Sequence, residues 1–322
     1  MSAPARIASF AALLVAIFAA AAVAGARLDP TVDDNGGAHE EGDLQMNGHG
    51  ATTTRPQQPT TGADPRGAGA AVPGLAVAEG GYRLVPERTA LEPGPSARYG
   101  FRIVDEGGET VDAFDVEHER RMHLIVVRRD FAGFQHLHPR QLDDGSWAVE
   151  ADLSAAGVYR VFADFATADR SLTLATDLFV AGRFDPQPLP AVAETADAGD
   201  GYRVSLESGP ARSGAATPVE FAVRRGGREL DSIEPYLGAD GHLVALREHD
   251  QAFLHTHPEG EAGGPSPISF QVAYPTPGRY RLFLQFRHRG EVRTAAFTQE
   301  VRGSRASGAT EPGAQEHSDG GH

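Results

Sequence analysis

The segment Phe134 to Pro139 reads F-Q-H-L-H-P, and Phe253 to Pro258 reads F-L-H-T-H-P. Each is preceded at one fixed distance by a further histidine. His123, His136 and His138 therefore form one set, and His242, His255 and His257 form a second. Both sets spell H-x12-H-x-H-P. Imidazole is the commonest protein ligand for transition metals, and this spacing lets three rings meet. In extended chain, residues i and i+2 point to the same side. The residue before a proline is held extended, which applies to His138 and His257. A hairpin turning through Arg129 to Gly133 returns the chain beside the strand that opens at His123 and brings the third ring to the pair. Three neutral imidazoles around an open fourth position suit copper, zinc or nickel.

Soft sulfur is missing from this ligand set. The chain has no cysteine, and Met122 points away from His123 if both lie in one strand. Its counterpart in the second set is Gly241, which has no thioether to offer. Copper stands highest in the divalent affinity order and is the expected ion, with zinc as the alternative. Water or a carboxylate would fill the fourth position. Asp130 is the candidate in the first copy, while the second has His249 there and Asp250 one place later. The rival reading is structural: histidines beside prolines cap turns or satisfy buried carbonyls, with Phe134 and Phe253 as core residues. Six of the 13 histidines occupy matched places in halves that differ widely elsewhere, and that favours the metal. His118 has no counterpart and reads as an exposed loop residue. His39, His49, His317 and His322, with Met46 beside His49, lie in acidic or Gly-rich tracts and read as solvated tails.

The elements that must position these rings come from a duplication. GYRLVPE (Gly81 to Glu87) recurs as GYRVSLE (Gly201 to Glu207), and FRIVDEGGE (Phe101 to Glu109) as FAVRRGGRE (Phe221 to Glu229). The blocks Met122 to Pro139 and Gly241 to Pro258 align without a gap, and GVYRVFADF (Gly157 to Phe165) matches GRYRLFLQF (Gly278 to Phe286). Blocks in one order at a nearly constant offset mark a tandem repeat. Tyr159, Val161, Ala163 and Phe165 fall on one face of a strand, as do Tyr280, Leu282, Leu284 and Phe286. Arg160 and Asp164, or Arg281 and Gln285, fall on the other, which is the pattern of a half-buried strand. The Gly107-Gly108 and Gly226-Gly227 pairs mark hairpin turns, and Trp147 is expected in a strand. About seven short strands per copy at this spacing predict an all-β fold: two tandem immunoglobulin-like β-sandwich domains with disordered tails.

The flanks set the compartment. Arg6 precedes an apolar run from Ile7 to Ala24 that ends in Ala24-Gly25-Ala26. Residues 1–26 therefore read as a secretory signal cleaved after Ala26, or as a retained membrane anchor. Residues 27–72 hold almost no large apolar side chains and are expected to be disordered, as is the tail 304–322. The repeats are placed at 73–183 and 201–303, with a Pro-rich linker at 184–200. The net charge is −15 with no lysine among the 29 basic residues, which argues against a nucleic-acid partner. No nucleophile elbow, phosphate loop, H-E-x-x-H or dinucleotide fingerprint occurs.

A hydrophobic strand opening with histidine and followed by F-x-H-x-H-P, as in MHLIVVRRDFAGFQHLHP and GHLVALREHDQAFLHTHP, resembles a group of exported bacterial tandem β-sandwich proteins. The resemblance covers both repeats but not the tails, and implies heavy-metal, especially copper, handling. The architecture is also similar to the copper-resistance sandwich proteins of the periplasm. Those use an N-terminal histidine, and a mature start at Arg27 leaves that ligand set without a counterpart. The reading that results is an exported, non-enzymatic metal-binding protein with one three-histidine site per repeat, for copper buffering, delivery or tolerance. It would be secreted or anchored to the outer face of the cytoplasmic membrane. The alternative is a cell-surface interaction module with structural histidines and an unspecified protein partner. A copper-dependent oxidoreductase is the third reading.

Overall fold

The computed structural model describes residues 72–303, apart from His255, Glu261 and the side chain of His257. The readings of a signal or anchor, of two disordered tails and of tail histidines fall outside those residues. The described chain is all-β and forms the two tandem immunoglobulin-like sandwiches.

The first repeat comprises β1 (Ala78–Glu79), β2 (Tyr82–Pro86), β3 (Ala90–Leu91), β4 (Ala97–Val104), β5 (His123–Arg128) and β6 (Gln135–Leu137). It continues through β7 (Arg140–Gln141), β8 (Trp147–Ala151), β9 (Gly157–Thr167) and β10 (Arg170–Val180). One sheet runs β1-β2-β4-β8-β7 and the other β3-β10-β9-β5-β6. The second repeat comprises β11 (Thr195–Asp197), β12 (Tyr202–Leu206), β13 (Ala216–Arg225), β14 (Arg228–Glu229) and β15 (Gly241–Arg247). It ends with β16 (Phe253–Leu254), β17 (Thr256–Glu259), β18 (Ile268–Ala273), β19 (Gly278–His288) and β20 (Glu291–Val301). Its sheets run β11-β12-β13-β18-β17 and β16-β15-β19-β20, with β14 beside β13. Ten strands per repeat replace the expected seven because corner pieces of two or three residues separate out. β11 lies inside the segment read as linker and pairs with β12, so the second fold starts before residue 201.

Each sandwich has its own core. Met122, Leu124, Trp147, Tyr159 and Phe165 pack in the first, and Leu243, Phe221, Tyr280, Leu282 and Phe286 in the second. Met122 thus turns away from His123, as strand alternation requires. The Gly226-Gly227 turn joins β13 to β14 with φ of 57° and 82°, a backbone only glycine adopts freely.

The outer face of β9 departs from the half-buried expectation. Arg160 is 8% exposed and Phe162 is 0% exposed. The sheet carrying β5 and β9 packs back to back on the sheet carrying β15 and β19. Ile125, Val127 and Phe162 meet Val244, Leu246 and Phe283 in a third apolar cluster. This also explains why all six residues of β5 are buried: the strand is covered on both faces, as a continuous apolar run implies. Phe134 and Phe253 are core residues of this inter-repeat layer. Phe134 stacks on Phe283 at 4.0 Å, and Phe253 lies 5.5 Å from Phe162. These two pairs are equivalent under the duplication, so the layer has pseudo-two-fold symmetry.

Residues Pro73 to Leu75 stitch the seam. Pro73 accepts a hydrogen bond from the Phe253 amide at 3.0 Å, and Gly74 donates to the Thr173 carbonyl at 3.0 Å. Arg160 donates to the carbonyls of Gly74 and Leu75. A Cβ on Gly74 would fall 2.6 Å from the Phe253 Cβ, so only glycine lets the backbone approach this closely.

Candidate metal centre

The hairpin predicted through Arg129 to Gly133 joins β5 to β6, with Leu124 opposite Leu137 and Ile125 opposite His136. Continuing that register sets His138 across from His123, with His136 as the diagonal neighbour on the same face. Phe131 and Gly133 turn the chain with φ of 67° and 63°. After Pro139 the chain leaves this sheet and enters β7 of the opposite sheet. The H-x-H-P motif is therefore the corner where the chain changes layers. In the second repeat the change of sheet falls within the motif, from β16 to β17, so that His257 and Pro258 already lie in the opposite sheet.

The three rings of the first set converge. One nitrogen from each of His123, His136 and His138 lies within 4.8 Å of the other two. His123 is 3% exposed, and His136 and His138 are half-buried. The outer nitrogens of two rings are committed to oxygen. His123 Nε2 donates to the Glu117 carbonyl at 3.1 Å, and His136 Nδ1 donates to Gln285 Oε1 at 2.8 Å. A neutral imidazole has one N–H, so with the Gln285 amide turned this way both inner nitrogens carry lone pairs. These nitrogens, His123 Nδ1 and His136 Nε2, face each other at 3.0 Å. Two lone pairs at that separation repel unless a cation lies on them; turning the Gln285 amide over instead lets it donate to His136 Nδ1 and lets His136 Nε2–H donate to His123 Nδ1. His138 Nε2 is buried with no hydrogen-bond partner among the described residues. Donating the far N–H to a carbonyl is how metal-binding histidines are oriented.

Burial lowers the His136 pKa to about 3, with the neighbouring His123 and His138 charges adding to the effect. It lowers the His138 pKa to about 4 for the same first cause, helped by His123 and Arg120. His123 is also lowered, chiefly by burial, against the Glu117 carbonyl and Asp164, which raise it. The rings are therefore neutral near pH 7, the form that binds metal.

Asp130 does not join them. Arg128 holds it through two hydrogen bonds of 2.8 Å at the far end of β5, five residues or roughly 16 Å from His123 along the strand. In the second repeat Asp250 takes that role, bound by Arg247. His118 is exposed, as expected of a loop residue, but its ring lies 6.2 Å from His123.

Of the second set, His242 is the second residue of β15 and pairs with Gln285. Its ring lies 4.6 Å from His136, 5.6 Å from His123 and 5.7 Å from His118. The structure thus sets His242 against the first triad, which no spacing within one repeat indicates. His257 contributes backbone to β17 opposite Gln271; His255 and the His257 side chain are outside the described residues. Gln285 escaped sequence reasoning, although its place on the Phe283 face of β19 was a signal.

A family model described as a domain of unknown function (DUF8832) matches residues 76–182 and again 195–303. The chain belongs to this family. Each sandwich is one DUF8832 domain, and the second match begins at β11. No curated protein matches the chain. Among solved structures, the Escherichia coli adhesin FdeC is 13% identical over 70% of this chain and 65% of its own, with a TM-score of 0.24. Yersinia pseudotuberculosis InvD is 11% identical over 71% and 60%, with a TM-score of 0.23. A titin immunoglobulin tandem is 11% identical over 69% and 97%, with a TM-score of 0.19. The chain spans under two-thirds of the two bacterial proteins, and likeness at this level concerns fold alone.

Proposed function

We propose that this DUF8832 chain is an extracytoplasmic, non-enzymatic protein that binds a transition-metal ion through His123, His136 and His138, with copper(II) the first choice and zinc(II) the second. Its role would be buffering, delivery or tolerance of that ion. The observation that carries the reading is the convergence of His123, His136 and His138, with one nitrogen of each within 4.8 Å of the other two. His138 Nε2, buried and without a hydrogen-bond partner among the described residues, supports it. All three donors are imidazole, which suits copper(II) and zinc(II), and the affinity order places copper higher. The apolar run before Arg27 supports export.

The test is a melting scan of the secreted chain in chelator, then with copper(II) or zinc(II). An ion bound only to the native state stabilises it by about 2.7 kcal/mol when its free concentration is 100 times Kd. The melting temperature is expected to rise with metal and to stay flat in a variant carrying His136→Ala and His138→Ala. A wild-type protein that melts at one temperature in chelator and in either metal would remove this reading. That result would favour a second one, an interaction module at the cell surface. The support for the second reading is the tandem sandwich architecture itself, which can present loops while its histidines pack structurally.

A further inference from the structure

We infer that His242 of the second repeat completes the coordination of the ion held by His123, His136 and His138, so that one metal ion is shared between the repeats and clamps them. This rests on the metal-binding reading above and changes its architecture from one site per repeat to a site at the seam.

The pseudo-two-fold layer produces the arrangement. In a self-complementary interface, equivalent residues near the axis approach each other. His123 and His242 are equivalent under the duplication, lie at the starts of β5 and β15 in the two facing sheets, and have rings 5.6 Å apart. Imidazole nitrogens bind zinc at about 2.0–2.1 Å, so rings in a tetrahedral shell have centres roughly 5 Å apart. The spacings within the triad, and from His242 to His123 and His136, bracket that value; the His242 nitrogens lie outside the group whose donors fall within 4.8 Å of one another, so that ring must swing inward to bind. They are 5.2 Å for His123 with His136, 5.2 Å for His123 with His138 and 4.9 Å for His136 with His138. His242 stands 4.6 Å from His136. The second repeat also supplies the amide that orients the His136 ring, since Gln285 meets its Nδ1 at 2.8 Å. His242 and Gln285 are cross-strand partners on β15 and β19, so one patch of the second repeat both orients a first-repeat ring and offers a ring of its own. Four nitrogens would leave no open position, which fits holding an ion rather than catalysis.

The experiment measures metal affinity by competition with a chromophoric chelator in full-length wild type, His123→Ala, His242→Ala and the double variant. His242→Gln serves as a second substitution that fills the same space. Melting in chelator verifies that each variant folds. A shared ion requires each single change to weaken the same binding event, on the order of 10–100-fold or more. The double variant should then lose little beyond the worse single, the signature of coupled residues. X-ray absorption should count four histidines in wild type and three in His242→Gln. Two outcomes overturn the shared ion and leave metal binding standing: unchanged affinity in both His242 variants, or loss of an ion that His123→Ala leaves bound. A wild type that takes up no ion overturns the metal reading itself.

Discussion

At the residue scale, the site is defined by where protons cannot go. The Glu117 carbonyl and the Gln285 amide hold the outer nitrogens of His123 and His136, and burial depresses the His136 and His138 pKa values to about 3 and about 4. These shifts make a prediction that needs no metal. An unfolded imidazole titrates near 6.5, so above that pH both states are neutral and stability is level. As pH falls from about 6.5 towards 4 and then 3, the unfolded chain takes up protons that the native chain refuses, and stability falls. The loss is on the order of a few kcal/mol, with solvent screening reducing the share of the more open His138 ring. Urea unfolding of chelated protein from pH about 7 down to about 4 measures it. A variant with His136→Gln and His138→Gln should flatten the acid limb; an identical limb in that variant would show that other groups set it. The triad itself was legible in sequence because its spacing occurs twice. Its supports were not: a backbone carbonyl leaves no mark on residue type, and Gln285 is 149 positions from His136.

At the element scale, the hairpin between β5 and β6 does the positioning, and its turn was readable from Gly133 and the apolar run before it. The turn's ion pair was less so. The second repeat keeps the arginine but takes the carboxylate one place later, at Asp250, so alignment pointed at His249, and Asp130 looked free for metal. A substitution in the sequence that sounded incidental proves structural. Gly241 stands where the first repeat has Met122, and a Cβ there would lie 2.8 Å from the Gln285 carbonyl oxygen. That neighbour is backbone in the paired strand and cannot swing aside. Gly241→Ala should push β15 from β19 and cost about 1–3 kcal/mol, displacing His242 with it. Chemical denaturation measures the cost; a variant as stable as wild type would mean the strand pair yields freely.

At the scale of the whole described chain, two sandwiches behave as one body because their outer faces are spent on each other. Alternation in β9 and β19 was read as one dry face and one wet face. Phe162 and Phe283 sit in the middle of the face read as wet, and those two residues were the available warning. A sequence pattern records that a face is mixed but not what covers it, so the layer became visible only with the fold. Its consequence concerns cooperativity. Phe283 is 3% exposed, belongs to the inter-repeat cluster and stacks on Phe134 within 6° of parallel. It takes no part in the core cluster of its own repeat. Phe283→Ala should therefore cost about 3–5 kcal/mol, drawn from the contact between repeats and not from either sandwich. Calorimetry of wild type should show one transition whose calorimetric and van't Hoff enthalpies agree. The variant should separate into two transitions, one per repeat. Two transitions in wild type, or a single unshifted one in the variant, would mean that the shared layer does not couple the repeats.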